Sequence, residues 1–241
     1  MNLKCFLYPL SDFFFPPQCL LCNTSFTPEN SRYFCNKCYD DFSFIKSPIC
    51  KKCGLPFQTQ EGEDHLCGQC ITVRHFFNKA RSVGKYNGAL RKALHGFKYN
   101  EKSLLSKPLA QMLAAYGGNL LNQKEYDAIV PVPLHSKRLR RRGYNQALIL
   151  AKTAGKTWGI KVDKMSLEKT KWTTPQTVLS KNARQKKIRG SFNCSSERVR
   201  NKNLLIIDDV YTSGSTVNEC ARILKKNGAL KVDVLTLART I

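Results

Sequence analysis

Two adjacent carboxylates and a loop of hydroxyl residues stand together in the segment LLIIDDVYTSGSTV, residues 204–217. Carboxylates accept hydrogen bonds from the vicinal hydroxyls of a sugar. Backbone N–H groups at the start of a helix bind phosphate, and a glycine there allows close approach. The segment therefore predicts a sugar-phosphate site, with an ordinary strand-to-helix turn capped by serine or threonine as the alternative. The carboxylates are Asp208 and Asp209, and the loop, called the hydroxyl loop below, comprises Thr212, Ser213, Gly214, Ser215 and Thr216.

Eight of the eleven cysteines form four C-x2-C pairs, grouped as two units in which 12 or 13 residues separate one pair from the next. Thiolates spaced in this way lie on one tight turn and bind a metal ion from one side, so that two pairs complete a tetrahedral zinc site. The alternatives are a disulfide framework, which the missing secretion signal argues against, and a redox motif. The spacing allows sequential or interleaved pairing and predicts one or two structural zinc sites. The predicted ligands are Cys19, Cys22, Cys35, Cys38, Cys50, Cys53, Cys67 and Cys70, with His65 as an alternative ligand.

Strand and helix patterns alternate in the part of the chain that positions the carboxylates. The strand patterns are EYDAIVPVPL, NLLIIDDV and KVDVLTLA, and the helix patterns are YNQALILAKTAGKTWG and STVNECARILKKNG. Continuous apolar runs are typical of strands that are covered on both faces. The alternation indicates an α/β fold with a mostly parallel sheet flanked by helices, in which ligands bind at the carboxyl ends of the strands. The adjacent carboxylates follow the run LLII and are expected at such an end.

The distribution of charge divides the chain near residue 75. Residues 1–75 contain seven basic and seven acidic side chains, whereas residues 76–241 contain thirty-three and ten and carry the whole net charge of +23. We therefore predict an N-terminal apolar segment and a small cysteine-rich domain in 1–75, and the α/β domain in 76–241. The charge favours polyanionic partners, with a merely solvated surface as the alternative. No run is long or apolar enough to span a bilayer, so we expect a cytosolic rather than an integral membrane protein.

Several segments resemble known families. LLIIDDVYTSGST resembles the phosphoribosyl-pyrophosphate (PRPP) motif of type I phosphoribosyltransferases. VPVPLHSKRLRRRGYNQA, FFFPPQCLLC, GFKYN and TPQTVLSKNARQKKIRGSF resemble the ComF family, whose members pair N-terminal cysteine knuckles with a phosphoribosyltransferase domain. The resemblance covers nearly the whole chain and implies a type I phosphoribosyltransferase-like sheet preceded by a zinc-ribbon domain. It also implies that Asp208 and Asp209 contact ribose hydroxyls and that residues 212–216 bind the 5-phosphate.

The segment KRLRRRGYN begins with five cations in the six residues 137–142. In phosphoribosyl transfer, pyrophosphate leaves C1 of the ribose, and cations at the leaving group, usually with Mg²⁺, stabilise that step. On the resemblance, the catalytic candidates are Arg138 and Arg142, Lys98 is a further PRPP ligand, and Mg²⁺ accompanies PRPP. We interpret this segment and the basic stretch 181–202 as loops, and both are candidates for nucleic-acid contacts. The stretch 181–202 could instead close over the site, with a mobile solvated loop as the alternative. The predicted nucleic-acid contacts are Lys137, Arg138, Arg140, Arg141, Arg142, Arg184, Lys186 and Lys187.

Three functions follow from these patterns. The leading hypothesis, which the resemblance implies, is a competence protein that supports DNA uptake in natural transformation and handles incoming single-stranded DNA in the cytosol. Its phosphoribosyl site would bind PRPP or a nucleotide phosphate. The first alternative is an active, Mg²⁺-dependent phosphoribosyltransferase acting on a nucleophile that the sequence does not identify. The second is a scaffold whose zinc ribbon binds a protein partner of the DNA-uptake machinery.

Overall fold

A four-stranded parallel sheet forms the centre of the α/β half of the chain in the computed structural model. The structure describes residues 16–59, 61–98, 103–172 and 188–241. In chain order, the strands are β1 (Ala80–Lys85), β2 (Ala128–Pro131), β3 (Leu167–Lys169), β4 (Phe192–Cys194), β5 (Asn203–Tyr211) and β6 (Lys231–Arg239). The sheet has the order β1–β6–β5–β2 with all neighbours parallel, and β3 and β4 form a separate antiparallel pair. The predicted mostly parallel sheet is confirmed.

Helices cover both faces of the sheet. In chain order they are α1 (Asn36–Asp40), α2 (Gly68–Thr72), α3 (Gly88–Lys98), α4 (Ser106–Leu120), α5 (Ser136–Arg142), α6 (Gln146–Trp158), α7 (Ser196–Val199) and α8 (Ser215–Lys226). Short 3₁₀ turns occupy Ser103–Leu105 and Gln123–Glu125. The apolar residues of α3, α4 and α6 pack on one face, whereas α8 packs on the other. Among the described residues, no helix has the length and apolar character needed to cross a membrane.

The segments predicted from apolar patterns form β2, β5, β6, α6 and α8. Helix α6 ends at Gly159, whose φ of +71° places it in the left-handed region that favours glycine. The strand β1 and the helices α3 and α4 were not predicted. The basic segment was expected to form a loop, but it forms α5. The Nδ1 atom of His135 accepts the N–H of Lys137 at 3.2 Å, and Gly143 ends the helix at a φ of +77°.

The chain around α1 packs on the face of the sheet that α3, α4 and α6 cover. The Tyr39 and Tyr116 hydroxyls lie 2.8 Å apart, and the ring of Phe44 stacks on Tyr116 with ring centroids 4.2 Å apart. Several buried side chains of this region, including Phe34 and Phe42, belong to the same hydrophobic core as α3, α4 and α6. The cysteine-rich region therefore shares a core with the sheet, and the boundary at residue 75 stays a prediction.

The outer edge of β1 is also covered by the cysteine-rich region. The N–H of Ile45 donates to the Val83 carbonyl at 2.9 Å, and the N–H of Lys85 donates to the Ser43 carbonyl at 2.8 Å. Phe44 forms an antiparallel bridge to Gly84 in the same place. The backbone groups on this edge of the sheet are thereby paired within the chain.

Candidate functional site

The adjacent carboxylates lie where β5 runs past the end of its neighbour β2. The pairing of β2 with β5 ends at Pro131, opposite Ile207, whereas β6 accompanies β5 to its last residues. Successive side chains of a strand point to opposite faces of the sheet. Asp208 and Asp209 therefore stand on opposite sides of β5, at the carboxyl edge that the sequence predicts. The strand itself extends four residues beyond the run LLII, to Tyr211.

Asp209 forms an ion pair with Lys98, the last residue of α3. The Nζ atom of Lys98 lies 2.9 Å from Oδ2 of Asp209, and the two side chains are 21% and 14% exposed. Burial opposes the charge of the lysine, but the neighbouring Asp209 outweighs burial and raises the pKa of Lys98. The predicted PRPP ligand Lys98 is thus a cation that already touches one of the two carboxylates.

Asp208 has the most perturbed ionisation among the carboxylates at this edge. Burial and the adjacent charge of Asp209 raise the pKa of Asp208 to about 7, although the N–H of Asp209 donates to its Oδ1 at 2.9 Å. Lys98 and Lys169 act in the opposite direction. Burial and the charge of Arg138 in turn lower the pKa of Lys169. The carboxyl of Asp208 therefore changes its protonation state near neutral pH.

This pKa predicts a pH-dependent stability that Asp208→Asn should remove. The folded protein holds the Asp208 proton up to about pH 7, whereas an unfolded aspartate releases it near pH 4. The free energy of unfolding should therefore fall as the pH rises from about 4 to about 7 through this group. We expect the melting temperature of Asp208→Asn to gain on the wild type over that window. Thermal melts of both proteins at matched pH values measure the difference, and a flat difference would contradict the assignment.

The side chains at this edge line a cavity of about 200 Å³, called the carboxylate cavity below. Two carboxylates, four cations and several neutral polar groups contribute to its wall. Seven of the predicted site residues lie together there: Lys98, Arg138, Arg142, Asp208, Asp209, Thr212 and Thr216. Acceptors for hydroxyl groups and cations for phosphates are therefore present in one space.

The middle of the hydroxyl loop lines a different cavity. Ser213, Gly214 and Ser215 face a space of about 620 Å³, called the loop cavity below, which Cys53 and Cys70 also line. The structure therefore divides the hydroxyl loop: Thr216 lines the carboxylate cavity, Ser213, Gly214 and Ser215 line the loop cavity, and Thr212 lines both.

Gly214 fixes the shape of the hydroxyl loop. Its φ is +73°, and a Cβ atom there would lie 2.3 Å from the hydroxyl of Tyr211, so no other residue fits without displacing the tyrosine. Helix α8 starts at the next residue; Gly214 at its N-cap has no side chain to cap it, although the N–H of Ser215 donates to Oγ of Ser213 at 3.4 Å. The first N–H groups of α8 are therefore suited to bind an anion.

Helix α5 presents its cations to two sides. Arg138 and Arg142, one turn apart, line the carboxylate cavity, and Nη1 of Arg142 donates to Oε1 of Gln146 at 3.1 Å. The other three cations, Lys137, Arg140 and Arg141, are exposed on the outer side of the helix. The remaining predicted nucleic-acid contacts, Arg184, Lys186 and Lys187, lie outside the described residues.

Three polar residues of the carboxylate cavity were not predicted: Asn145, Gln146 and Lys169. Asn145 caps α6 by accepting the N–H of Leu148 at 3.4 Å, which is a signal that the sequence contains. Gln146 is 2% exposed, although glutamine is usually a surface residue. Lys169 reaches the cavity only because β3 pairs with β4, and no local pattern indicates that pairing.

The eight paired cysteines form two clusters in which all four sulfur atoms lie within 4.8 Å of one another. The first cysteine cluster contains Cys19, Cys22, Cys35 and Cys38, and the second contains Cys50, Cys53, Cys67 and Cys70. Pairing is therefore sequential, which decides between the two arrangements that the spacing allows. His65 belongs to neither cluster, and its ring stacks on Phe57 at 3.8 Å between ring centroids.

The environment of both clusters fits zinc. The N–H groups of Cys53 and Cys67 donate to the sulfur of Cys50 at 3.5 and 3.4 Å. Burial disfavours the Cys50 thiolate, but these and a further backbone hydrogen bond lower its pKa to about 6. Hydrogen bonds from Thr24 likewise lower the pKa of Cys22 to about 6. Burial and the neighbouring sulfur atoms raise the pKa of Cys38 and Cys70, so the stabilised thiolate is one of four in each cluster. Four sulfur ligands in a closed arrangement are typical of structural zinc sites, where the metal ion itself holds the ligands as thiolates.

Family models match both halves of the chain. Residues 10–71 match the double zinc ribbon domain, and residues 141–240 match the phosphoribosyl transferase domain. The first match agrees with the two cysteine clusters and supports structural zinc. The second includes β5, the hydroxyl loop and α8.

Relatives are similar to this chain over most of its length. The DNA utilization protein YhgH of Escherichia coli K12 is 30% identical over 197 residues, which is 80% of this chain and 85% of the relative. Competence protein F of Haemophilus influenzae is 31% identical over 81% of this chain and 86% of its own. Competence protein ComFC of Bacillus subtilis is 25% identical over 240 residues, which is 92% of this chain and 95% of the relative. The similarity thus spans both the cysteine-rich and the α/β halves.

Proposed function

Because the chain belongs to the ComF family, we propose that it supports DNA uptake in natural transformation by handling incoming single-stranded DNA in the cytosol. Its carboxylate cavity binds the phosphoribosyl group of PRPP or the sugar phosphate of a nucleotide. Relatives named as competence proteins, together with the phosphoribosyl transferase domain, support a competence-related role.

The composition of the carboxylate cavity is the observation that supports the ligand class. Asp208 and Asp209 supply acceptors for ribose hydroxyls, and the start of α8, where Thr216 lines the same cavity, supplies donors for a phosphate. Four cations, Lys98, Arg138, Arg142 and Lys169, line the same space. A sugar that carries both hydroxyls and phosphates matches the acceptors, the donors and the cations. A ligand with phosphate groups alone would be repelled by the two carboxylates.

The exposed side of α5 supports contact with single-stranded DNA. Lys137, Arg140 and Arg141 are exposed there, beside the mouth of the carboxylate cavity. Trp172 is 39% exposed, and the guanidinium of Arg138 lies 6.0 Å from the centre of its ring. A groove of cations with an exposed aromatic ring is suited to bind the backbone of a single strand while a base stacks on the ring.

Reversing the charge of two exposed arginines should weaken binding of single-stranded DNA. In Arg140→Glu with Arg141→Glu, two phosphate contacts are lost, so affinity should fall and depend less on salt. Each contact with a single strand contributes about 0.7 to the slope of log affinity against log salt, so the slope should become shallower by about 1.4. Fluorescence anisotropy with a labelled oligonucleotide over a range of salt concentrations measures both changes.

A matched variant separates this local effect from the loss of net charge. Lys124 and Lys226 are exposed near the amino ends of the strands, at the opposite edge of the sheet from α5. Lys124→Glu with Lys226→Glu makes the same change in charge and should leave most of the affinity. Equal losses in the two double variants would assign the binding to the overall charge and would contradict a binding surface on α5.

Complementation of natural transformation tests the proposed function as a whole. A host lacking its own copy is supplied with the wild-type chain or with the chain carrying Asp208→Ala and Asp209→Ala, and transformants are counted at equal protein levels. We expect the double variant to restore few or no transformants. Full restoration would show that the carboxylate cavity has no part in DNA uptake.

The convergence of cations favours one other function, phosphoribosyl transfer. Arg138, Arg142 and Lys169 line the space beside the two carboxylates, where pyrophosphate would leave C1 as the ribose becomes oxocarbenium-like. Mg²⁺ would enter with PRPP and bridge its pyrophosphate. A coupled assay for pyrophosphate release, with single-stranded DNA or nucleobases as acceptors, distinguishes the two functions. Release that requires an acceptor would establish an enzyme, and binding without release supports the binding role.

A protein partner of the zinc ribbon stays a prediction. Three apolar side chains at the second cysteine cluster, Leu66, Ile71 and Val73, are 45%, 71% and 44% exposed. Polar replacements at these positions test the prediction, because they should weaken the binding of a protein partner.

A further inference from the structure

The second cysteine cluster is connected to the hydroxyl loop through a buried arginine. Nη1 of Arg239, at the end of β6, donates to the carbonyl of Cys53. Arg239 is 5% exposed, and its guanidinium lies 4.7 Å from the centre of the Tyr211 ring. The hydroxyl end of Tyr211 in turn occupies the space that a side chain at Gly214 would need. A single line of contacts therefore runs from a zinc ligand to the middle of the hydroxyl loop.

The other pair of the second cluster reaches the same loop by a separate route. Six residues after Cys70, the N–H of Phe76 donates to Oδ1 of Asn218 at 2.7 Å. Asn218 lies in the first turn of α8, and its own N–H donates to the carbonyl of Gly214 at 2.9 Å. Thus both C-x2-C pairs of the second cluster are connected to Gly214.

The charge of Arg239 matches the cluster that it touches. No carboxylate among the described residues forms an ion pair with Arg239, and its Nε is buried without a hydrogen-bond partner in the described structure. A buried cation without compensation is costly. Zinc held by four thiolates has a net negative charge, so the second cluster supplies the compensation that no carboxylate provides.

Among the described residues, the first cysteine cluster has no comparable route to the hydroxyl loop. Its surroundings contact α3 and α4 through the pair Tyr39–Tyr116 and through Asp41, whose Oδ2 accepts the N–H of Ala89 at 2.7 Å. These contacts lie on the opposite face of the sheet from α8. The two clusters have the same four-cysteine ligand set, but the surroundings of the first contact α3 and α4, whereas those of the second contact the hydroxyl loop.

We infer that the second cysteine cluster holds the hydroxyl loop in its phosphate-binding shape, with Arg239 as the positioning residue between them. Metal binding at this cluster and phosphate binding at the loop are consequently coupled, and the coupling acts equally in both directions. The inference rests on the proposed function, because it concerns how the loop is kept ready for a phosphorylated sugar. The first cluster stabilises the fold without this coupling.

Equilibrium zinc competition tests the coupling in the full chain loaded with zinc. A chelator of known zinc affinity is titrated with and without saturating ribose 5-phosphate. We expect the sugar phosphate to tighten the binding of one of the two zinc ions by about fivefold or more, the range of ordinary coupling between sites. In Arg239→Gln both ions should still bind, affinity for ribose 5-phosphate should fall, and the tightening should be reduced, because only the route through Asn218 remains. Tyr116→Phe, which removes the hydroxyl contact beside the first cluster, is the matched control and should keep it.

The outcomes separate this inference from the proposed function. Binding of ribose 5-phosphate with no change at either zinc site, or with tightening that is undiminished in Arg239→Gln, would overturn the inference and leave the proposed ligand intact. Absence of binding would refute the ligand. In that case amide hydrogen exchange of residues 212–216 tests whether Arg239 holds the hydroxyl loop. Faster exchange in Arg239→Gln than in the wild type supports the inference, and equal exchange overturns it. If Arg239→Gln does not fold, Asn218→Ala breaks the second route and takes its place in each comparison.

Discussion

Replacing Asp208 and Asp209 together with alanine should abolish the thermal stabilisation that PRPP gives the wild-type protein. A ligand that binds only the folded state stabilises it by about 2.7 kcal/mol at a hundredfold excess over its Kd. Both carboxylates line the carboxylate cavity, and in the proposed site they accept hydrogen bonds from the ribose hydroxyls, so their removal should reduce that stabilisation to zero. Thermal melts with increasing PRPP, with Mg²⁺ present throughout, measure the effect.

The PRPP-induced shift in melting temperature is the quantity to compare, because the double variant also leaves Lys98 without the Asp209 carboxylate. Asp127→Ala is the matched control. Asp127 stands at the amino end of the sheet, where its Oδ2 accepts the N–H of Asn203 at 2.7 Å. This variant should melt slightly lower and keep the full shift with PRPP. An undiminished shift in the Asp208/Asp209 variant would place the PRPP site elsewhere.

Removing zinc should have the largest effect on stability. Metal analysis of the purified protein should return about two zinc ions per chain, one for each cysteine cluster. Structural zinc contributes about 10–16 kcal/mol to the folding of small zinc-binding units, so chelation should unfold the cysteine-rich region. Circular dichroism and melting temperature, followed as a chelator is added, measure the loss.

Reductant alone provides the control for the zinc experiment. The cysteines are free in the described structure, and the sulfur atoms of Cys53 and Cys67 lie 3.8 Å apart, well beyond a disulfide bond. A thiol reductant without chelator should therefore leave the melting temperature unchanged. A protein that folds normally without metal, or that unfolds on reduction alone, would refute the zinc assignment.

Local patterns were sufficient for the strand, loop and helix that carry the carboxylates. The apolar run LLII and the two acids are consecutive and Gly214 follows five residues after Asp209, so their positions follow from the chain itself. The eight cysteines could likewise be assigned to metal sites, but the choice between sequential and interleaved pairing depends on how the segments between them fold. Only the structure decides that choice.

Residues that reach the site through tertiary structure could not be predicted. Lys169 lies on the three-residue strand β3, which is positioned by its pairing with β4. The centres of the two strands are 25 residues apart in the sequence. Arg239 contacts Cys53 across 186 positions of sequence. Helix α5 was expected to be a loop, because five cations in six residues gave no apolar face and histidine is an unusual residue for capping a helix.

The pairing of residues 43–45 with β1 has a consequence for aggregation. The exposed edge of a sheet can pair with a strand of another molecule, and natural proteins cover or interrupt such edges. Here the cover comes from the cysteine-rich half, through Ile45 and Ser43. A fragment consisting of residues 76–241 would lose this cover and would offer β1 as a template for intermolecular pairing. The zinc-binding half therefore also protects the α/β half from self-association.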